Sequence, residues 1–145
     1  MHLTKKTYTL KADDRLKRKK LFDEVFTTGK SLRNPIISVF YKEITEQVLN
    51  SAKENSKITK STFHLQAAFT ASKRKFKKAV DRNKLKRLMR EAYRLQCTEL
   101  KNVLKTQNKQ VAIVFVFTFT QISSFIEVKN AVNILLQNLQ KHLTK

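Results

Sequence analysis

Nine consecutive residues, Val111-Ala112-Ile113-Val114-Phe115-Val116-Phe117-Thr118-Phe119, limit the architecture more than any other stretch of this chain. Apolar side chains fill both alternating sets of the first seven, so a strand formed here has no face fit for water. It must be a central strand, covered above and below. The same run, Val111 to Phe117, is far too short to cross a bilayer as a helix. With 145 residues, the chain has enough material for one domain, residues 1–145, around one core.

The elements that would cover this strand can be placed by periodicity. Leu21, Phe22, Val25 and Phe26 recur at helical spacing and predict a short amphipathic helix over 17–28, with Gly29 at its C-cap. Pro35 precedes Ile36-Ile37-Ser38-Val39-Phe40-Tyr41, a β-branched and aromatic run that predicts a strand. A second strand follows from Phe63 to Ser72, where Leu65, Ala67, Phe69 and Ala71 alternate with smaller or polar residues. A basic helix is expected over roughly 79–104, with Asp81 at the positive end of its dipole. Ser124-x-x-Glu127 is a capping box, opening a last helix with Val128, Val132, Leu135, Leu139 and Leu143 on one face. Residues 1–15 read as a loose basic arm, and the polar stretch 44–62 as a surface hairpin loop or mobile insertion. The order is helix, strand, strand, helix, strand, helix, with no internal repeat.

Charge narrows the partner. Thirty-one Lys and Arg against 11 acids give a net charge of +20. Such a surplus repels itself in a compact fold and is relieved by a polyanion. Nucleic acid is the first candidate, an anionic membrane the second and an acidic protein the third. Several other classes are excluded. The single cysteine, Cys97, rules out an internal disulfide framework and a cysteine-rich zinc site. The only glycine, Gly29, rules out a glycine-rich phosphate loop. His2, His64 and His142 have no ligand spacing. No apolar h-region follows the N-terminal residues, against a secretory signal. The 11 acids are scattered and form no metal clamp along a core strand, and no nucleophile elbow is present, so the chain lacks the parts for independent hydrolysis of nucleic acid.

The charge is concentrated. Residues 73–94 hold eleven Lys or Arg and two acids, Asp81 and Glu91. On a helical wheel, Leu85, Leu88, Met89 and Ala92 share one side; Arg82, Asn83, Lys86, Arg87, Arg90 and Arg94 share the adjoining side. One face is built for burial and the next for a phosphate backbone. Periodicity alone leaves Phe22, Phe26 and Phe40 open between core packing and stacking on unpaired bases. Ser72 and Thr70 are equally open between plain solvent-facing positions and donors to phosphate or 2′-hydroxyl groups. Cys97, Tyr41 and Tyr93 read as packing residues.

At these residues the sequence resembles the protein subunit of bacterial ribonuclease P. The resemblance runs from Leu21-Phe22-x-x-Val25-Phe26-x-x-Gly29 through the strand at 36–41. It is densest over Ala68-Phe69-Thr70-Ala71-Ser72-Lys73-Arg74 and from Ala79 to Tyr93. It implies an α/β (α+β) two-layer sandwich similar to domain 2 of ribosomal protein S5. The expected sheet is mixed, with about four strands and three helices, and has a left-handed βαβ crossover against the usual rule. It also implies a division of labour. The RNA subunit hydrolyses the phosphodiester using Mg2+, with no protein-only metal site and no catalytic side chain. The protein grips that RNA and the 5′ leader of precursor tRNA, in the cytoplasm, with no membrane and no further protein partner. Arg82, Asn83, Lys84, Lys86, Arg87 and Arg90 match the family's basic motif and are expected to face the RNA subunit, flanked by Lys73, Arg74 and Arg94. Phe22, Phe26, Ser38, Phe40, Thr70, Ser72 and Lys73 match the leader cleft. Three departures stand out: Lys84 where the family usually has arginine, Ala68 and Lys77 where it has glycines, and the longer insertion at 44–62. A structural RNA-binding protein of ribosomal type, with no role in cleavage, is the alternative; a free-standing nuclease is a third reading.

Overall fold

The computed structural model of the protein describes residues 15–44 and 64–143. In chain order the elements are α1 (Lys19–Thr28), β1 (Lys30–Arg33), β2 (Ile37–Glu43), β3 (Leu65–Ala71), α2 (Ala79–Gln96), α3 (Thr98–Thr106), β4 (Val111–Phe117) and α4 (Phe125–Leu143). The strands form one mixed sheet in the order β1-β2-β4-β3. β4 is interior, as its two-sided apolarity requires, antiparallel to β2 and parallel to β3. α2 and α3 make the crossover between the parallel pair.

The two sets of alternating side chains on β4 go to different places. Val111, Ile113, Phe115 and Phe117 join the main core with α2, α3 and α4. Ala112 and Val114 join a smaller cluster with Leu16, Leu21, Val25 and Ile44, beneath α1. Aromatic contacts organise the main core. Phe69 stacks on Phe115 at 5.5 Å between ring centroids, and Tyr93 meets both edge-on at 5.6 and 5.7 Å. Such pairs each add about 0.5–1.5 kcal/mol beyond the area they bury.

Several boundaries differ from the sequence expectation. Among the described residues there are four helices where three were expected, because the 79–104 helix is broken at Cys97. The apolar stripe itself continues through the break, with Leu85, Met89, Ala92, Tyr93, Cys97, Leu100 and Leu104 all buried. No Gly or Pro marks the site. Instead the Gln96 side chain donates from Nε2 to the Ala92 carbonyl and to the Lys129 carbonyl, both at 3.0 Å. It competes for a ladder acceptor while tying α2 to α4, a recognised cause of bending.

The first helix starts at Lys19 rather than at 17, and β2 runs two residues beyond Tyr41. β1 was not expected, since Lys30-Ser31-Leu32-Arg33 reads as polar. It pairs antiparallel with β2 around a tight connection at Asn34. Asn34 Oδ1 accepts from the amides of Ile36 (2.9 Å) and Ile37 (2.8 Å), and its Nδ2 donates to the Ala131 carbonyl of α4 at 3.0 Å. Gly29 does occupy the C-cap of α1, but at φ −75°, so left-handed backbone is not its purpose. A Cβ there would lie 2.7 Å from the Tyr41 carbonyl oxygen and collide with that of Val25. Close approach of helix end to strand is what requires glycine.

The capping box forms as expected, with Ser124 and Glu127 bonding each other's backbone amides at 3.2 and 3.3 Å. Of the loose arm expected over 1–15, residues 1–14 lie outside the described residues. Arg15 is paired to Ala67 on the outer edge of β3, and Leu16 donates to the Ala67 carbonyl at 3.0 Å. Of the insertion placed at 44–62, all but Ile44 lies outside the described residues, and Ile44 is buried core.

Candidate nucleic-acid interface

The basic helix α2 sits on the main-core side of the sheet. Leu85, Met89, Ala92 and Tyr93 are buried beneath it, which fixes the rest of its surface outward. Asn83, Lys84, Arg87 and Arg90 are exposed and Lys86 is half-buried. None of the six cations Lys73, Arg74, Lys84, Lys86, Arg87 and Arg90 is neutralised by a carboxylate among the described residues.

Arg82 and Arg94, expected on the same contact surface, are already engaged. Arg82 Nη1 donates to the carbonyls of Phe76 (2.8 Å) and Lys77 (2.9 Å), clamping the turn between β3 and α2. Arg94 forms a two-point ion pair with Glu91, through Nη2 to Oε1 and through Nε to Oε2 at 3.1 Å. The hydrogen bond from Arg94, with its charge, holds the Glu91 carboxyl below the usual value, against a smaller opposing effect of burial. Helical spacing puts both arginines on the expected side of α2. It carries no information about local partners three to six residues away.

The turn itself is closed by Phe76 N–H donating to the Ser72 carbonyl (3.0 Å) and Arg74 N–H donating to Ser72 Oγ (3.2 Å). Because Ser72 Oγ accepts here, its own proton remains free to donate outward. Lys73 and Arg74 project from this turn, both exposed.

On the other side of the sheet the expected cleft residues come together. Register places Ser38, Val116 and Thr70 in one row, and Phe40, Val114 and Ala68 in the next. From α1, Phe26 approaches Phe40 at 4.8 Å and Phe22 approaches Phe26 at 4.9 Å, a continuous line of tilted, half-buried rings. Thr70 is half-buried beside them, and Ser38 is nearly buried in the floor at 5% exposure. The result is an aromatic-walled groove with hydroxyl groups along it, suited to bases on their π faces and to a sugar-phosphate chain. The rings pack on the small core and keep part of their surface exposed.

β1 extends this face with Ser31 and Arg33, which the sequence reading did not include. The sequence offers only a faint hint, one apolar residue, Leu32, between two polar ones ahead of Asn34-Pro35. Lys42, two residues beyond Phe40 on the same face, is held by Glu24 at 2.8 Å and by Thr28. That contact pulls the Glu24 carboxyl below its ordinary range. At the opposite end of the sheet from the basic turn, a cleft of ≈ 350 Å³ is lined by Lys30, Tyr41, Lys42, Glu43, Lys109 and His142 among others. None of the expected RNA-contacting residues lines it.

Comparison with known proteins gives the family. The family profile described as Ribonuclease P matches residues 10–140. The chain belongs to the ribonuclease P protein family. A ribonuclease P protein component from Chlorobium phaeobacteroides is 26% identical over 139 residues, covering 91% of this chain and 88% of the relative. One from Porphyromonas gingivalis is 37% identical over 62 residues, 43% of this chain and 45% of the relative. The fold is similar to the ribonuclease P proteins of Staphylococcus aureus (TM-score 0.57, 20% identity, 87% of this chain and 94% of that one) and Thermotoga maritima (TM-score 0.57, 24% identity, 85% and 97%). As a ribonuclease P protein component, the chain is the accessory subunit of a tRNA-processing ribonucleoprotein, and its partner is the ribonuclease P RNA. No helix among the described residues is long and apolar enough to cross a membrane.

Proposed function

We propose that the α2 ridge docks on the RNA subunit while the groove under α1 holds the 5′ leader of precursor tRNA, in the cytoplasm, so that the RNA removes the leader. The observation that carries this reading is the separation of the two surfaces. Lys84, Lys86, Arg87 and Arg90 belong to the helix covering one face of the sheet; Phe22, Phe26, Phe40 and Thr70 belong to the other face. The turn bearing Ser72, Lys73 and Arg74 connects them. One rigid body can thus hold two RNA molecules in fixed relation, which is positioning rather than bond-breaking chemistry.

Magnesium enters this reading with the RNA. Among the described residues, no three His, Cys, Asp or Glu side chains gather to hold a metal ion. The chain's own part is to bind and place the substrate.

Reconstitution of the full chain with a bacterial ribonuclease P RNA tests the proposal. The protein should lower the magnesium needed for precursor cleavage, and Phe40→Ala should weaken substrates with long leaders more than leaderless ones. An unchanged magnesium requirement, or equal losses on both substrates, would refute it.

A further inference from the structure

The groove does not end at β2. Arg33 of β1 is in register with Ser38, Ser38 with Val116, and Val116 with Thr70, a single row across all four strands. Residues opposite each other in a ladder point to the same face. Leu32 turns the other way, packing against the main core, which independently sets Ser31 and Arg33 on the groove side. Arg33 is exposed, and among the described residues its side chain has no hydrogen-bond or ion-pair partner. The carboxylates of α1 do not serve it: Glu24 is taken by Lys42, at the far end of β2, and Asp23 is solvent-exposed.

We infer that Arg33 binds a phosphate of the leader, so that the leader's path crosses the whole sheet and leaves it over β1. This rests on the groove being the leader site. Neighbouring strands lie about 4.8 Å apart, so β1 and β3 are separated by roughly 14 Å. A single strand crossing that width meets Thr70 and Lys73 at one side, the rings in the middle and Arg33 at the other. A guanidinium is permanently charged and presents a planar fork, the geometry a phosphate accepts.

The test uses the reconstituted complex and precursor tRNAs with leaders of graded length. Arg33→Ala should lose about tenfold in affinity for the longest leaders and nothing for leaderless substrate, with Arg33→Lys recovering part of the loss. A single methylphosphonate placed along the leader should weaken the unaltered protein at one position, and Arg33→Ala should be indifferent to it there. Arg33→Ala matching the unaltered protein at every leader length overturns the inference. So does an equal loss on leaderless substrate, which would put Arg33 against the RNA subunit. Phe40→Ala, measured in parallel, separates the two levels. If Phe40→Ala shows leader-dependent loss and Arg33→Ala does not, only the extension to β1 fails. If neither does, the groove reading fails with it.

Discussion

The two faces of the sheet are built from the same seven-residue strands by opposite rules. On one, Phe69, Phe115 and Phe117 interlock with Tyr93 and Phe76 under three helices. On the other, Phe40, Val114, Val116 and Ala68 are covered only in part, by a ten-residue helix. A one-residue slip of register would exchange the two faces, so register alone decides which rings hold the fold together and which are offered to a ligand. The closed face supplies the stability that lets the other stay open.

The largest effect that tests this contrast is on folding. Phe115→Ala should cost about 3–5 kcal/mol, by cavity formation in a fully buried site. Phe40→Ala, one strand over and half-buried, should cost only about 1–2 kcal/mol. Denaturant unfolding of both variants measures the difference. Equal losses would mean that the groove rings are core and that the two faces are not functionally distinct.

Much of this contrast could be read before the fold was known, because alternation and two-sided apolarity are properties of single segments. β4 as the central strand, the capping box at Ser124 and the cationic arc of α2 all belong to that class. What could not be read depends on contacts between segments. β1 has too few apolar residues to announce itself, and exists because Asn34 folds it back on β2 and fastens the turn to α4. The break at Cys97, beside the Gln96 contact to Lys129, carries no Gly or Pro signal. Gly29 was legible as a helix end, but its reason, the approach of the Tyr41 carbonyl, was not. For the site, residue types and spacing pointed to the ridge and, through the family resemblance, to the groove. The engagement of Arg82 and Arg94 needed coordinates.

The second effect is electrostatic, and it should separate the ridge from the groove. Arg87→Ala with Arg90→Ala removes two α2 cations that have no carboxylate partner among the described residues. Affinity for the RNA subunit should fall, and its logarithmic salt slope should flatten by about one to two units, since each phosphate contact contributes roughly 0.7–0.9. Phe40→Ala should leave that slope unchanged. Titrating binding across salt concentrations checks both. A slope that responds to Phe40 and not to the arginines would reverse the assignment of the two surfaces.

The smallest effect lies within the ridge, where Glu91 holds Arg94 back from the charge available to RNA. The pair is well exposed and screened by water, so it adds little to stability. Its carboxyl is depressed in the folded protein, so whatever stability it contributes is present above the ordinary value of 4.5 and is lost as pH falls through the folded value. The difference in Tm between the chain and Glu91→Gln should therefore be flat above 4.5 and vanish below the folded value. At neutral pH the same variant breaks the Glu91–Arg94 ion pair and removes one acid from the ridge, and the salt slope for RNA-subunit binding should steepen by up to about one unit. If the slope does not move, Arg94 lies outside the contact, and the ridge ends at Arg90, one helical turn earlier.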